Sequence, residues 1–247
     1  MTILRKRPPV DGKAVNGLYV HSNPPRILSV SAAHIKHLIR NGDIDRLEQL
    51  VLEGQGKKMV GEYSADYRTR TFLKSVPALM SKIALLHDSL NSDRLAELQS
   101  ILDEEPERKK KLILAKDDSG VGLLHKAVYY DLKSIYRWLI DKFPHSVNSR
   151  DSEGRTPYFY TLMCKDPATV QKLLTLAGAD PHVQDCKGHS VKYYGCHLQE
   201  LELPNGLKSV GNSRKSTATK ESKFRFNITN QQFPYVLSFV SLTRLTA

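Results

Sequence analysis

Residues 117–148 read DDSGVGLLHKAVYYDLKSIYRWLIDKFPHSVN, and residues 151–184 read DSEGRTPYFYTLMCKDPATVQKLLTLAGADPHVQ. A third copy opens at Asp185 as DCKGHSVKYY and then breaks off. Gly120, Gly154 and Gly188 stand in register, 34 residues apart each time. A fixed period of this length marks a repeat architecture in which each copy is one supersecondary unit. Every copy begins with an Asp-x-x-Gly turn, where glycine supplies the backbone freedom a tight turn needs. A short helix is expected next, over Leu123 to Tyr130 in the first copy. A second helix is expected over Lys133 to Ile140, with Ile135, Trp138, Leu139 and in part Tyr136 at helical spacing. In the next copy Asp166 is a natural N-cap and Pro167 suits the first helical position. Ala177-Gly178 is a good C-terminal stop. No such unit can bury its apolar face alone, so the units must stack.

These residues resemble the ankyrin repeat. Thr156-Pro157-Tyr158-Phe159 matches the Thr-Pro-Leu-His turn of that family, and Gly122-Leu123-Leu124-His125 matches it in part. Gly178-Ala179-Asp180 corresponds to the Gly-Ala-Asp that closes a repeat. An earlier copy is visible at Ala84-Leu85-Leu86-His87, with its second helix near Leu95 to Leu102. A fainter one begins near Ala32 and continues through Asn41-Gly42-Asp43-Ile44 and Leu47 to Gly54. The resemblance covers about residues 30–195. It departs from the family at Phe159, which replaces the turn histidine, and at Asp93, Asp131 and Lys165, which stand where a glycine usually separates the helices. It implies an all-α solenoid of about four stacked helix-turn-helix repeats with short β-turn tips, the first repeat degenerate. It also implies that His87 and His125 hydrogen-bond between adjacent turns.

The rest of the chain divides by composition. Residues 1–29 hold Pro8-Pro9 and Pro24-Pro25 without periodicity and are expected to be a disordered basic segment. The array spans 30–204, interrupted by an insertion at about 55–82 that reads as a surface loop. Its apolar set, Phe72, Leu73, Val76, Leu79 and Met80, packs as a helix on the array or docks a partner. The charged stretch EEPERKKK at 104–111 reads as a second surface loop. Residues 190–204 are the candidate terminal cap, since the last repeat otherwise exposes apolar surface. Residues 205–247 form a flexible basic tail, polar over 205–223 and apolar from Phe224 to Leu245.

The net charge is +11 over 247 residues, and its distribution is informative. Residues 1–82 carry 14 basic and 7 acidic groups, residues 83–195 carry 16 of each, and residues 196–247 carry 7 and 3. The basicity therefore lies in the flanks. A nucleic-acid-binding domain concentrates positive charge on its folded face, so no specific nucleic acid is expected. The flanks add at most weak, salt-sensitive contact with polyanions. No stretch approaches the ~20 apolar residues of a membrane span, and the N-terminus lacks the apolar run of a secretory signal. Three cysteines do not read as a disulfide framework. The expected setting is cytoplasmic, with the nucleus as the alternative.

Gly-x-Ser-x-Gly, a phosphate-cradling glycine loop and His-Glu-x-x-His are all absent, so no enzyme, catalytic residue or cofactor is expected. His182, Cys186, His189, Cys196 and His197 lie within 16 residues, a spacing that admits zinc. Adjacent Cys196 and His197 rarely share one tetrahedral site, and these residues read as ordinary turn and loop positions, so no metal is expected. The resemblance implies binding along a concave face made of turn tips and first helices. On that reading Asp118 and Glu153 lie at tips, and Lys126, Tyr129, Tyr130, Tyr160 and Met163 on the helix face. Tyrosines combine large apolar area with a polar tip and are enriched at interface hot spots. The expected function is a protein-interaction module or scaffold for a protein partner. The alternatives are a cytoskeletal or membrane-surface adaptor docking through the basic flanks, and a Cys/His metal-binding regulator or enzyme.

Overall fold

The computed structural model describes residues 30–91, 93–204 and 207. The expectations for residues 1–29 and for the tail after Leu207 fall outside the described residues. The described part is all-α. It contains no strand or sheet, only isolated antiparallel bridges pairing Lys116 with Gly122 and Gln184 with Ser190. No helix among the described residues is long and apolar enough to cross a membrane.

The chain opens with helix α1 (Ala32–Asn41), capped by Ser31, whose hydroxyl accepts from the His34 amide, and ended by Gly42 at φ +69°. Helix α2 (Ile44–Leu50) starts at Asp43, whose carboxylate accepts from the Arg46 amide. It runs into a widened turn, Val51–Gln55, and a 3-10 turn, Gly56–Met59. Helix α3 (Tyr67–Asn91) follows, 25 residues long. Then come α4 (Leu95–Asp103), the single turn α5 (Lys109–Leu112), α6 (Leu123–Tyr129), α7 (Lys133–Lys142), α8 (Pro157–Tyr160), α9 (Pro167–Leu176) and α10 (Val191–Cys196). In α9 Asp166 accepts from the Thr169 amide and Pro167 occupies the first turn, as the sequence predicts.

Helix α3 takes up residues 67–82 of the expected surface loop, and the apolar set from Phe72 to Met80 packs as a helix, the first of its two alternatives. Leu73, Val76, Leu79, Ile83, Leu86 and Leu90 form one buried stripe at helical spacing. The stripe runs unbroken from the expected insertion into the Ala84-Leu85-Leu86-His87 copy. Pro77 lies inside the helix on its exposed side, where the missing amide disturbs no packing. The 104–111 stretch is likewise tied down. Lys82 pairs with Glu105 at 2.6 Å and with Glu104 at 3.2 Å, while Glu48 receives Lys111 at 2.5 Å and Arg108 at 3.3 Å. These ion pairs fasten α5 and its approach to both α2 and α3.

Helix α1 packs on α2, α3 on α4 and α6, and α6 on α7 and α8. One apolar core runs continuously from Ile35 to Leu207. Within α7, Ile135, Tyr136, Leu139 and Ile140 are buried. Trp138, expected in the core, is only half-buried and meets Phe143 edge-on at 5.4 Å. Asp93 and Asp131 take up positive φ, +50° and +53°, at two of the positions where the family resemblance expects glycine. A short polar side chain tolerates this left-handed backbone better than a branched one does.

Candidate interaction groove at the turn tips

Three turns of identical construction stand 34 residues apart. In each, an aspartate Oδ1 accepts two backbone amides. Asp117 holds Ser119 and Val121, each at 2.9 Å; Asp151 holds Glu153 at 2.9 Å and Arg155 at 2.8 Å; Asp185 holds Lys187 at 2.9 Å and His189 at 3.0 Å. The aspartate amide in turn donates to the carbonyl four residues on. The other carboxylate oxygen is bound by the residue nine positions later. This is Lys126 Nζ on Asp117 at 2.7 Å, Tyr160 OH on Asp151 at 2.6 Å, and Tyr194 OH on Asp185 at 2.6 Å. A local Asx-type turn thereby becomes anchored to its own helix.

The turns also bond to one another. The Ser152 amide donates to Gly120 O at 3.0 Å, and the Cys186 amide to Glu153 O at 2.9 Å. Gly120, Gly154 and Gly188 sit at φ +75°, +77° and +78°. A Cβ on Gly120 would lie 2.6 Å from Ser152 Cβ, so the tip needs glycine for both backbone and space. Below the tips, His125 Nε2 donates to Arg155 O at 3.0 Å and His87 Nε2 to Ala115 O at 3.3 Å. Burial, joined at His87 by the Lys126 charge, pushes the imidazole pKa values down to about 4 for His125 and about 3 for His87. Both rings are neutral at pH 7 and serve as fixed donors.

A groove of about 470 Å³ opens along these tips. Ser119, Ser152, Glu153 and Lys187 line its rim, Arg155, Asp185 and Tyr194 its floor, and Glu202, Leu203 and Pro204 its far wall. Arg155 is 3% exposed and Asp151 0%. Arg155 Nε donates to Asp151 Oδ2 at 2.9 Å, and Nη1 donates to the Glu202 carbonyl. Arg155 Nη2 is buried with no acceptor among the described residues. Burial opposes the guanidinium charge, but Asp151, Tyr160 and Glu153 together outweigh it and the pKa rises. Burial, reinforced by Asp151, also drives the Tyr160 phenol well above its ordinary range. The phenol therefore remains a donor, and the Asp151–Arg155–Tyr160 cluster is an internal brace.

The predicted face is thus divided. Tyr160 is 0% exposed; it stands inside the core, and its placement on the binding face is corrected. Its ring lies 5.3 Å from His125 and its hydroxyl is consumed by Asp151. Tyr129 and Tyr130 are half-buried and meet edge-on at 5.0 Å. Met163 is half-buried against the core. Lys126 is half-buried and committed to Asp117. Glu153 reaches the groove, whereas Asp118 is exposed and pairs with Lys57 at 2.6 Å, away from it. Arg155 and the 201–204 segment were not picked out as site residues. The only sequence signal for the turn's bracing was a polar residue nine positions after each repeat aspartate.

The five residues with zinc-like spacing do not converge. His189 and His197 stack on Tyr193, at 3.9 and 4.4 Å between ring centroids. Among the described residues no group of three or more His, Cys, Asp or Glu is placed to hold a metal. Burial pushes the Cys164 thiol up to about 12, so it is protonated at neutral pH. Compared with protein-family models and with curated proteins, the chain matches none.

Proposed function

We propose that this chain is an ankyrin-type interaction module that binds a protein partner across its turn tips and the half-exposed tyrosines of its first helices. The carrying observation is the groove itself. Three successive turns, braced from within by Asp117, Asp151 and Asp185, present Ser119, Ser152, Glu153 and Lys187 along one continuous rim. Glu153 and Lys187 supply opposite charges at that rim, and Tyr129 and Tyr130 supply apolar area with a polar tip. The site holds fixed donors and buried ion pairs in place of an activated nucleophile, which supports binding over catalysis.

The test is a charge swap. Glu153→Lys combined with Lys187→Glu in the full chain should leave the melting temperature within about 4 °C of wild type, since Lys187 is exposed and Glu153 half-buried. It should weaken capture of a cognate protein at least tenfold. A partner retained equally by both forms in physiological salt would exclude the groove as the binding site.

A further inference from the structure

We infer that the tip groove is a receptor for the carboxylate of an extended peptide segment of a partner protein, and that Leu201–Pro204 is a displaceable stand-in seated there in cis. The inference rests on the interaction reading above and specifies the chemistry of the partner.

Leu201–Pro204 has no regular secondary structure, and Leu201 is extended at φ −75° and ψ 93°. It is held as a bound peptide would be. Leu201 is buried, Leu203 packs against the core, the Glu202 carbonyl takes Arg155 Nη1, and the Glu202 carboxylate takes Lys187 Nζ at 3.2 Å. An apolar anchor, a backbone contact and a charged contact are the elements by which extended segments are recognised.

The fit is incomplete at one defined atom. Arg155 presents two parallel terminal nitrogens, and the cis segment offers them a single carbonyl oxygen. Nη2 is left buried without an acceptor among the described residues. A guanidinium fork matches the two oxygens of a carboxylate. The carboxylate that the cis segment does carry stays at the rim, with the Glu202 side chain 77% exposed. The about 470 Å³ of open groove beside it leaves room for a deeper group. The acidic groups facing this space have defined places. Asp151 Oδ2 is taken by Arg155 Nε and Tyr160, Asp185 is taken by Tyr194 and two amides, and Glu153 stands at the rim. Lys187 supplies the second positive charge that an incoming carboxylate needs.

A tethered segment competes at an effective concentration near the millimolar range, so the wild-type chain should bind such a peptide only weakly. The experiment uses the full chain, the release variant Leu201→Ser with Leu203→Ser, and a fluorescent, acetylated and amidated peptide copying residues 198–207. The release variant should bind the peptide at least tenfold more tightly than wild type. Adding Lys187→Glu to that variant, or replacing both peptide glutamates by glutamine, should reverse the gain. A second peptide ending in a free carboxylate at the Glu202 position separates the two sources of the group. Whichever peptide binds more tightly identifies a side chain or a chain terminus, and binding of neither overturns the inference.

Hydrogen exchange on the unaltered chain keeps the test decisive should the release variant not fold. Amides of residues 201–203 should exchange at least a hundredfold faster than that of Tyr194, and millimolar peptide should accelerate them further. Equal protection at both places, unaffected by peptide, assigns the segment a purely structural role and sinks the proposal. Loss of this peptide effect while the Glu153/Lys187 charge swap still abolishes partner capture would remove the cis-competitor idea alone.

Discussion

Replacing Tyr160 with phenylalanine removes a single hydroxyl group from inside the second turn. That hydroxyl donates to Asp151 Oδ2 at 2.6 Å, and both residues are 0% exposed. A hydrogen bond to a charged group contributes about 1.5–3 kcal/mol, and short, buried bonds of this kind are the stronger ones. Asp151 is not stranded by the change. Its Oδ2 keeps Arg155 Nε at 2.9 Å, and Oδ1 keeps the Glu153 and Arg155 amides. The expected cost is therefore about 2 kcal/mol, read as a lower urea midpoint at unchanged m value. Tyr194→Phe provides an internal comparison, because Tyr194 makes the same 2.6 Å bond to Asp185. Asp185 and Tyr194 are 3% and 1% exposed against 0% for both Asp151 and Tyr160, so water offsets more of the loss there and about half the cost is expected. Partner binding should survive Tyr160→Phe, since the hydroxyl never reaches the surface. A Tyr160→Phe variant within about 0.5 kcal/mol of wild type, the ordinary scatter of neutral substitutions, refutes the reasoning. So does a Tyr194→Phe variant that costs more than Tyr160→Phe.

The pH dependence follows from His87 and His125, held neutral in the folded state at about 3 and about 4. The unfolded chain titrates them near pH 6.5, so below that value it binds more protons than the folded chain, and stability falls with pH toward about 4. By pH 5 the loss is about 2 kcal/mol per histidine; urea midpoints equal at pH 7 and pH 5 would contradict this. Asp131→Gly should raise stability by about 1 kcal/mol, because it relieves a positive φ and removes a buried carboxylate oxygen without a partner; thermal melting shows this as a higher midpoint. Gly120→Ala should cost about 2 kcal/mol or more, through both left-handed backbone and collision with Ser152. Gly61→Ala, also at positive φ but with nothing within 4 Å of the added Cβ, should cost only about 1 kcal/mol. Equal melting temperatures for the two alanine variants would remove the tip contact from the account. Partner binding through the groove should weaken less than about tenfold between 50 and 300 mM salt, whereas docking through the basic flanks should collapse over that range.

Local chemistry was the most legible part of this chain. The three Asp-x-x-Gly turns, the Asp166 cap with Pro167 and the stop at Gly178 all appear where the residues predict them. Each depends on groups close in sequence or on a turn repeated at a fixed interval. The failures share a different cause. The break expected after residue 82 came from matching Ala84-Leu85-Leu86-His87 to a repeat template. The apolar stripe from Leu73 to Leu90 ignores that boundary, since a helix continues wherever its buried face finds a partner. Trp138 sits at an apolar helical position yet is only half-buried, its ring set edge-on against Phe143.

Tyr129 and Tyr160 mark the division most sharply. Both are tyrosines of a short helix that follows an Asp-x-x-Gly turn, and both read in the sequence as candidate contacts. From the 34-residue period the residues by themselves determined how many turns form, how each is closed and which glycines sit at the tips. They also set the alternation of short helices between those turns. Only the tertiary structure decided which side chains face inward. Tyr160 falls nine residues after Asp151 and is drawn in by that carboxylate and by Arg155, whereas Tyr129, twelve residues after Asp117, has no carboxylate partner among the described residues and stays half-buried. The 201–204 segment is the same case at longer range. Its place against Arg155 depends on a contact across 47 residues, and no local pattern encodes a hydrogen bond between groups so far apart in sequence.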